Sequence, residues 1–123
     1  MSSDAQLLDL LGVAAQGGRG AILSRETEDL DLNLVRFSDG AGVASHVNRE
    51  VDVLLVAMSG SGTVAVGDDQ FLLEPGQSLL IPKNTVRSVV SPASGEFVYL
   101  SVHRRRSGLL PRRLGVPQPN PIV

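Results

Sequence analysis

Residues 59–82 read SGSGTVAVGDDQFLLEPGQSLLIP, and this stretch decides the fold. Its apolar runs at 62–66, 70–74 and 78–81 have the length and the Val, Ile and Phe content of β-strands. Gly67-Asp68-Asp69 predicts a hairpin turn between the first two runs, and Pro75-Gly76 predicts a turn before the third. The stretch therefore predicts short strands that follow one another through tight turns.

Glycine and proline residues interrupt the sequence at similar intervals on both sides of this stretch and leave no room for long helices. Further strands are predicted near 21–25, 30–37, 42–48, 51–58, 86–91 and 96–103. Alternation of apolar and polar residues is clearest in Leu30-Asp31-Leu32-Asn33-Leu34. Many short strands separated by glycine and proline predict an all-β sandwich or barrel of antiparallel strands over residues 21–103.

Residues 1–20 are predicted to form a helix and a linker. Ser3 can cap a helix over about residues 4–15, and the glycines that begin at Gly17 would end it. Its expected apolar stripe is Leu7, Leu8, Leu10, Leu11 and Ala14.

Composition indicates one globular domain. The chain has 123 residues, of which 42% are hydrophobic and 20% charged, and this balance differs from that of disordered chains. It contains no cysteine, which excludes disulfides, thiolate metal sites and cysteine nucleophiles. Without a basic, apolar leader or an apolar run of membrane-spanning length, we expect a cytoplasmic protein that does not enter a membrane.

Charge divides the chain into an acidic body and a basic, Pro-rich tail at 104–123. All 13 acidic residues lie at or before Glu96, whereas five of the 11 basic residues are arginines between Arg104 and Arg113. The last twenty residues therefore carry +5 and the rest −7. Such a tail can dock on the body, on a neighbouring subunit or on phosphates. The tail has no aromatic residues or lysines, which argues against a nucleic-acid partner.

Between residues 46 and 52 every second residue is polar and able to bind a ligand or metal. These residues are His46, Asn48, Glu50 and Asp52. In an extended strand all four would point to one face, which makes the row a candidate site.

The spacing around this row resembles the first motif of the cupin family. That motif is Gly, five residues, His-x-His, three or four residues, Glu, six residues, Gly. Here Gly40 is followed after five residues by His46-Val47-Asn48. Asp52 stands at the Glu position, and the closing Gly60 falls one place late.

A second spacing resembles the other motif of the family, Gly, five residues, Pro-x-Gly, two residues, His, three residues, Asn. Gly76 is followed after five residues by Pro82. Arg87 then stands at the His position, and Ser91 stands at the final Asn position. The resemblance covers about residues 30–103 and implies a single, jelly-roll-like cupin barrel. It does not imply one activity, because the family includes dioxygenases, isomerases, decarboxylases, storage proteins and sugar-binding regulators.

The resemblance also suggests where a metal would lie. In metal-binding cupins the two His and the Glu of the first motif and the His of the second hold one divalent ion. His46, Asn48 and Asp52 would remain as ligands for Fe, Mn, Ni or Zn, and His103 could add another. Arg87 is always cationic and only donates hydrogen bonds, so we expect no tightly bound metal.

Arg87 can instead act as the fixed cation of a polar pocket. A buried guanidinium needs a partner, and Glu50 or Asp52 could provide one. We predict that this pocket binds a small anionic or hydroxylated metabolite. Its predicted ligand-binding residues are His46, Asn48, Glu50, Asp52, Arg87, Tyr99 and His103. Two simpler interpretations are that Glu50 and Asp52 are solvated at a strand end and that His46 is a hydrogen-bonded core histidine.

The last predicted strand places Tyr99, Ser101 and His103 on one face. This face either lines the cavity with Phe97 or packs on the N-terminal helix or a second subunit.

Two classes of function remain open, together with an expected homodimer. The protein is either a binding module or an enzyme. The enzyme would be a metal-dependent oxygenase or isomerase using His46, Asn48 and Asp52, with Glu50 and His103 as further candidates, or a metal-free enzyme with His46 as general acid and base. Dimer formation is implied by the family, and it would cover an open sheet edge.

Overall fold

The structure is a computed structural model that describes residues 3–105. It contains one helix, α1 (Leu10–Ala15), and nine strands. The strands are β1 (Gly20–Glu26), β2 (Leu30–Ser38), β3 (Gly42–Val47), β4 (Val53–Gly60), β5 (Gly62–Val66), β6 (Asp69–Leu73), β7 (Ser78–Ile81), β8 (Val86–Val90) and β9 (Glu96–Arg104). Each strand begins and ends within two residues of its predicted position. The described part of the chain contains no helix that could span a membrane.

The strands form two antiparallel sheets that pack face to face. Sheet A has the order β1-β2-β9-β4-β7, and sheet B has the order β3-β8-β5-β6. Gly67 and Asp68 form the two-residue turn between β5 and β6, and Val66 pairs with Asp69 across it. The sequence prediction of an all-β, jelly-roll-like fold is therefore confirmed.

The core lies between the inner faces of the two sheets. Phe97 and Tyr99 are fully buried neighbours on β9, with ring centroids 5.1 Å apart. Sheet B contributes Val43, Val64 and Val89 to the same cluster. Burial of these side chains provides most of the driving force for packing the sheets together.

The N-terminal helix is shorter than predicted. The cap is Asp9 rather than Ser3, and its Oδ1 accepts a hydrogen bond from the Gly12 amide at 3.0 Å. Residues 3–9 are not helical, and no residue of α1 is buried. Leu7 is 99% exposed and Leu11 is 57% exposed. The predicted stripe is wrong because a six-residue helix has fewer than two turns and cannot align five side chains.

Candidate binding site

One end of the sandwich is polar. On the inner face of sheet A, the apolar pair Phe37 and Phe97 lies at one end of β2 and β9, and the polar pair Asp31 and His103 lies at the other. On sheet B, His46 pairs with Arg87. The loops 48–52 and 82–85 join the two sheets at this end. We call this region the polar end. It comprises the two loops and the inner residues Asp31, Asn33, His46, Arg87, Ser101 and His103.

Arg87 is the only fully buried charged side chain among residues 3–105, with 0% exposure. Its Nε donates to the Thr85 carbonyl at 3.0 Å, and its Nη2 donates to the Pro82 carbonyl at 2.6 Å. The guanidinium thus ties the 82–85 loop to β8. Because a guanidinium stays protonated throughout the physiological pH range, this group places a permanent positive charge at the polar end.

His46 lies next to Arg87 on β3, and its ring is oriented by the main chain. Nδ1 lies 2.8 Å from the Ala44 carbonyl. A carbonyl only accepts, so Nδ1 carries the proton, and a neutral imidazole presents the Nε2 lone pair. Nε2 is buried and has no hydrogen-bond partner within the described residues.

Asn48 follows β3 and closes the 48–52 loop. Its Oδ1 accepts hydrogen bonds from the amides of Glu50 (3.0 Å) and Val51 (3.2 Å). Its main-chain carbonyl accepts from the Asn84 amide at 2.7 Å, which joins the two loops. Nδ2 is buried, and the described part of the chain offers it no acceptor.

The second histidine faces Asp31 across β2 and β9. His103 Nδ1 lies 2.8 Å from the Arg104 carbonyl, and Nε2 lies 3.9 Å from Asp31 Oδ2. Both side chains are almost fully buried. The distance is too long for a direct hydrogen bond between the ring and the carboxylate.

Asp31 belongs to a network that the sequence analysis does not identify. Asn33 Nδ2 contacts Asp31 Oδ1 at 3.4 Å, and Ser24 Oγ donates to Asn33 Oδ1 at 2.7 Å. The alternating stretch 30–34 identifies a strand but does not say which face is inside. The structure turns the polar residues inward and the leucines outward. The polar row on the neighbouring predicted strand, which includes His103, is the signal that could have indicated this orientation.

Tyr99 and Ser101 continue the polar surface toward the core. Both are 0% exposed, which shows that their face of β9 lines the interior rather than packing on α1. The Tyr99 hydroxyl and Ser101 Oγ have no hydrogen-bond partner among residues 3–105. Burial raises the pKa of the Tyr99 phenol well above its ordinary value of 10.0, because the charged phenolate would lose its hydration.

This pKa shift is expected to be visible in an alkaline titration followed by tyrosinate absorbance. Tyr99 is the only tyrosine and there is no tryptophan, so the absorbance reports on one site. In the folded protein we expect no ionisation as the pH passes the ordinary tyrosine pKa of about 10, then a cooperative rise that coincides with unfolding by circular dichroism. Above that pH the unfolded chain binds fewer protons than the folded protein does. The contribution of the Tyr99 phenol to the free energy of unfolding is therefore complete below the ordinary pKa and falls as the pH rises above it. A gradual folded-state titration near the ordinary pKa would contradict the burial.

Glu50 and Asp52 are exposed, outside the buried cluster. β3 ends at Val47 and β4 begins at Val53, so residues 46–52 are not one strand and their alternation does not place them on one face. Asp52 Oδ1 accepts from the Lys83 amide at 2.9 Å. Asp52 therefore holds the turn that contains Lys83, in keeping with its solvated position at a strand end.

The side chains at the predicted metal positions do not fit a metal ion. Asn48 Oδ1 already accepts two amides, Asp52 faces solvent, and Arg87 brings a positive charge next to His46. Of these side chains, only His46 presents a lone pair toward the interior. Within residues 3–105, no group of three or more His, Asp or Glu side chains is arranged to hold a metal.

A separate groove of about 540 Å³ lies between the edge strands β6 and β7. It is lined by residues 70–73 and 77–79, which include no titratable side chain. None of the predicted site residues borders it. The polar end is the better candidate for specific binding because it combines a fixed charge with several oriented donors and acceptors.

Comparisons with known proteins agree with this architecture. A family model described as "Cupin domain" matches residues 33–103. A search of curated proteins found no match. KdgF from Halomonas sp. has 23% sequence identity and a TM-score of 0.61, with 70% of this chain and 78% of that chain covered.

Two further solved structures have higher TM-scores. TT1209 from Thermus thermophilus has a TM-score of 0.70 and 23% identity, covering 83% of this chain and 99% of that chain. An uncharacterized conserved protein with a double-stranded β-helix domain from Klebsiella pneumoniae has a TM-score of 0.72 and 17% identity, covering 87% of this chain and 92% of that chain. At these identities the similarity shows the fold alone.

Proposed function

The chain belongs to the cupin family, and on this premise we propose that its polar end binds a small polar or anionic metabolite without a tightly bound metal. The observation that carries the proposal is a set of five buried polar atoms without a hydrogen-bond partner among the described residues. They are His46 Nε2, Asn48 Nδ2, Tyr99 OH, Ser101 Oγ and His103 Nε2. Buried polar groups are costly unless they are hydrogen-bonded, so a ligand or ordered water is needed to satisfy them.

The chemistry of these atoms favours a ligand with several hydroxyl or carboxyl oxygens. Asn48 Nδ2 is a donor, the two hydroxyls both donate and accept, and His46 Nε2 accepts. Arg87 adds a permanent positive charge that can balance a carboxylate or phosphate. A hydroxy acid combines both features, because its hydroxyls can meet His46 and Tyr99 while its carboxylate lies near the cation.

The side chains of the polar end also support ligand binding without a metal. A divalent ion next to His46 would be close to the Arg87 guanidinium, because the two residues pair across β3 and β8. The repulsion between the two cations weakens metal binding. The alternative function is a metal-dependent oxygenase or isomerase using His46, Asn48 and Asp52.

We further propose that the protein is a cytoplasmic homodimer. Three of the four edge strands carry features that discourage pairing: β1 and β3 have register shifts, and β6 begins with Asp69 and Gln70. The fourth edge, β7, is short, regular and uncharged. An unprotected edge of this kind favours pairing with a second copy.

A thermal-shift screen tests ligand binding. Suitable probes are tartrate, succinate, inorganic phosphate and the uncharged polyol erythritol. At a ligand concentration about 100 times Kd, the free energy of unfolding rises by about 2.7 kcal/mol. For a domain of this size this raises the melting temperature by on the order of 10 °C. We expect tartrate to produce the largest shift because it supplies both hydroxyls and carboxylates.

Two substitutions connect this shift to the polar end. Tyr99→Phe removes a buried hydroxyl that has no partner among residues 3–105, so the ligand-free protein should be as stable as wild type while the ligand-induced shift decreases. His46→Gln should also weaken the shift, whereas Ser88→Ala, on the outer face of β8, should leave it unchanged. Equal shifts in all variants, or no response of wild type to any probe, would refute the proposal. Near-stoichiometric Fe, Mn, Ni or Zn in protein purified without chelator or affinity tag would favour the metal-dependent enzyme.

A further inference from the structure

The side-chain amide of Asn48 has a fixed orientation, because its oxygen already has two donors. Oδ1 accepts hydrogen bonds from the main-chain amides of Glu50 at 3.0 Å and Val51 at 3.2 Å. A main-chain amide only donates, so the atom that faces these two groups must be the oxygen. Nδ2 therefore lies on the other side of the side chain. It is buried, and residues 3–105 offer it no acceptor.

This unsatisfied donor belongs to a firmly held part of the polar end. Asn48 is 6% exposed, and its main-chain carbonyl accepts from the Asn84 amide at 2.7 Å. Arg87 donates to the Pro82 and Thr85 carbonyls, which lie in the same loop as Asn84. Asn48 and Arg87 are thus both attached to this loop, which fixes their positions relative to each other.

The buried charge on this side of the polar end is positive. Within residues 3–105, Arg87 is the only buried charged side chain on sheet B and in the two loops of the polar end, whereas the buried carboxylate of Asp31 lies on sheet A. Arg87 pairs with His46, and Asn48 follows His46 by two residues. The acidic residues of the two loops are exposed, so water screens their charges more than it screens the guanidinium. Asn48 Nδ2 is therefore a hydrogen-bond donor close to a fixed positive charge.

A donor in this position is suited to an oxyanion. A hydrogen bond from an N–H group to a charged oxygen is roughly twice as strong as one to a neutral oxygen. The guanidinium adds an attraction that only an anion gains. A carboxylate or phosphate oxygen is therefore preferred at this point over the hydroxyl of an uncharged ligand.

We propose that Asn48 selects the charge of the ligand: its Nδ2 donates to an oxygen of a carboxylate or phosphate, and Arg87 balances the negative charge. Because the site is the same, the proposal rests on the proposed function, and it narrows the ligand class from polar metabolites to oxyanions. Asn48 then has two separate roles. Oδ1 and the main-chain carbonyl hold the loops, and Nδ2 contacts the ligand.

The substitution Asn48→Asp tests this role because it removes the donor and keeps the loop contacts. One carboxylate oxygen can still accept from the Glu50 and Val51 amides, while the other places a negative charge where Nδ2 was. Succinate, tartrate and erythritol are matched four-carbon probes that carry carboxylates alone, carboxylates with hydroxyls, and hydroxyls alone. Isothermal titration calorimetry measures their affinities. In wild type we expect succinate to bind more tightly than erythritol. In Asn48→Asp the affinities for succinate and tartrate should fall by about tenfold or more, and that for erythritol should change much less.

Two comparisons make this result specific. Asn84→Asp is the matched control, because it adds the same charge to the adjoining loop at an exposed side chain. It should leave the affinity for succinate nearly unchanged. A loss comparable with that of Asn48→Asp would assign the effect to net charge and overturn the proposal. Inorganic phosphate is compared with succinate in wild type, and the tighter of the two identifies the anionic group.

A measurement on wild-type protein decides the question even if Asn48→Asp does not fold. In isotope-labelled protein, nuclear magnetic resonance should show the Asn48 side-chain amide signals shifting as succinate is added and the Asn84 signals staying in place. Unchanged Asn48 signals at saturation, or erythritol that binds as tightly as succinate, would overturn the charge selection while leaving ligand binding at the polar end intact. If wild type responds to none of these probes, the proposed function is refuted as well.

Discussion

Replacing Arg87 with methionine is expected to lower the free energy of unfolding by about 3 kcal/mol, because two part-buried hydrogen bonds from the guanidinium to main-chain carbonyls are lost. Methionine fills a similar volume, but it cannot replace the hydrogen bonds that Nε and Nη2 donate to the Thr85 and Pro82 carbonyls. A polar group left buried and unsatisfied costs about 1–3 kcal/mol. Urea denaturation followed by circular dichroism measures the change. Arg49→Met, at an exposed position in the 48–52 loop, is the control and should change stability by less than about 0.5 kcal/mol.

Arg87→Lys separates the charge from the hydrogen-bonding geometry. Lysine keeps the positive charge but cannot reach both carbonyls with a planar fork. We expect this variant to lose stability while retaining a larger response to tartrate than Arg87→Met does. If Arg87→Met is as stable as wild type, the guanidinium does not hold the 82–85 loop, and the structural role given to it is wrong.

The loops at the polar end are connected to one another as well as to Arg87. Asn48 caps its own loop with its side chain and accepts the Asn84 amide with its carbonyl. Asp52 accepts the Lys83 amide with its side chain. These bonds fix the loops before any ligand arrives, and a pre-formed site loses less entropy on binding. Two of the residues predicted as ligands, Asn48 and Asp52, therefore have positions that suit them to support the site.

The strands can be predicted from sequence because their boundaries are encoded locally. The turn at Gly67-Asp68 and the bends at Pro75 and Pro82 separate runs too short for helices, and the structure follows them closely. The N-terminal helix is shorter than its leucine pattern predicts, because leucines at helical spacing do not guarantee a surface to pack on. Leu7 remains exposed, and Asp9 provides the cap.

The candidate site is harder to predict because it depends on which face of each strand is inside. Motif spacing selects His46 and Arg87, and the structure pairs them directly. The inward position of Asp31 cannot be read from alternation alone, since an inward polar face and an outward one have the same pattern. Glu50 and Asp52 fit the predicted row only if residues 46–52 are extended, whereas the chain turns between β3 and β4. The arginines beyond residue 105 lie outside the described residues.

Substituting alanine for Gly62 is expected to destabilise the protein by about 3 kcal/mol, at the upper end of the usual cost of overpacking. Gly62 is buried at the start of β5, where an added Cβ would overlap the ring of Phe97. The Phe97 ring is fully buried and packs on Tyr99, so it cannot move away without disturbing the polar surface. Urea denaturation measures the loss. Thr63→Ala, on the outer face of the same strand, should have a much smaller effect.

A double-mutant cycle shows whether this loss arises from the Phe97 ring. Phe97→Leu alone leaves a cavity and should be destabilising, but leucine removes the ring atoms that the new Cβ would meet. The Gly62→Ala and Phe97→Leu pair should therefore be more stable than the sum of the single effects indicates, by about 1 kcal/mol or more. Additive losses would instead locate the strain in the β5 backbone. Because Phe97 positions Tyr99, we also expect Gly62→Ala to lower the pH at which the Tyr99 phenol ionises in the alkaline titration.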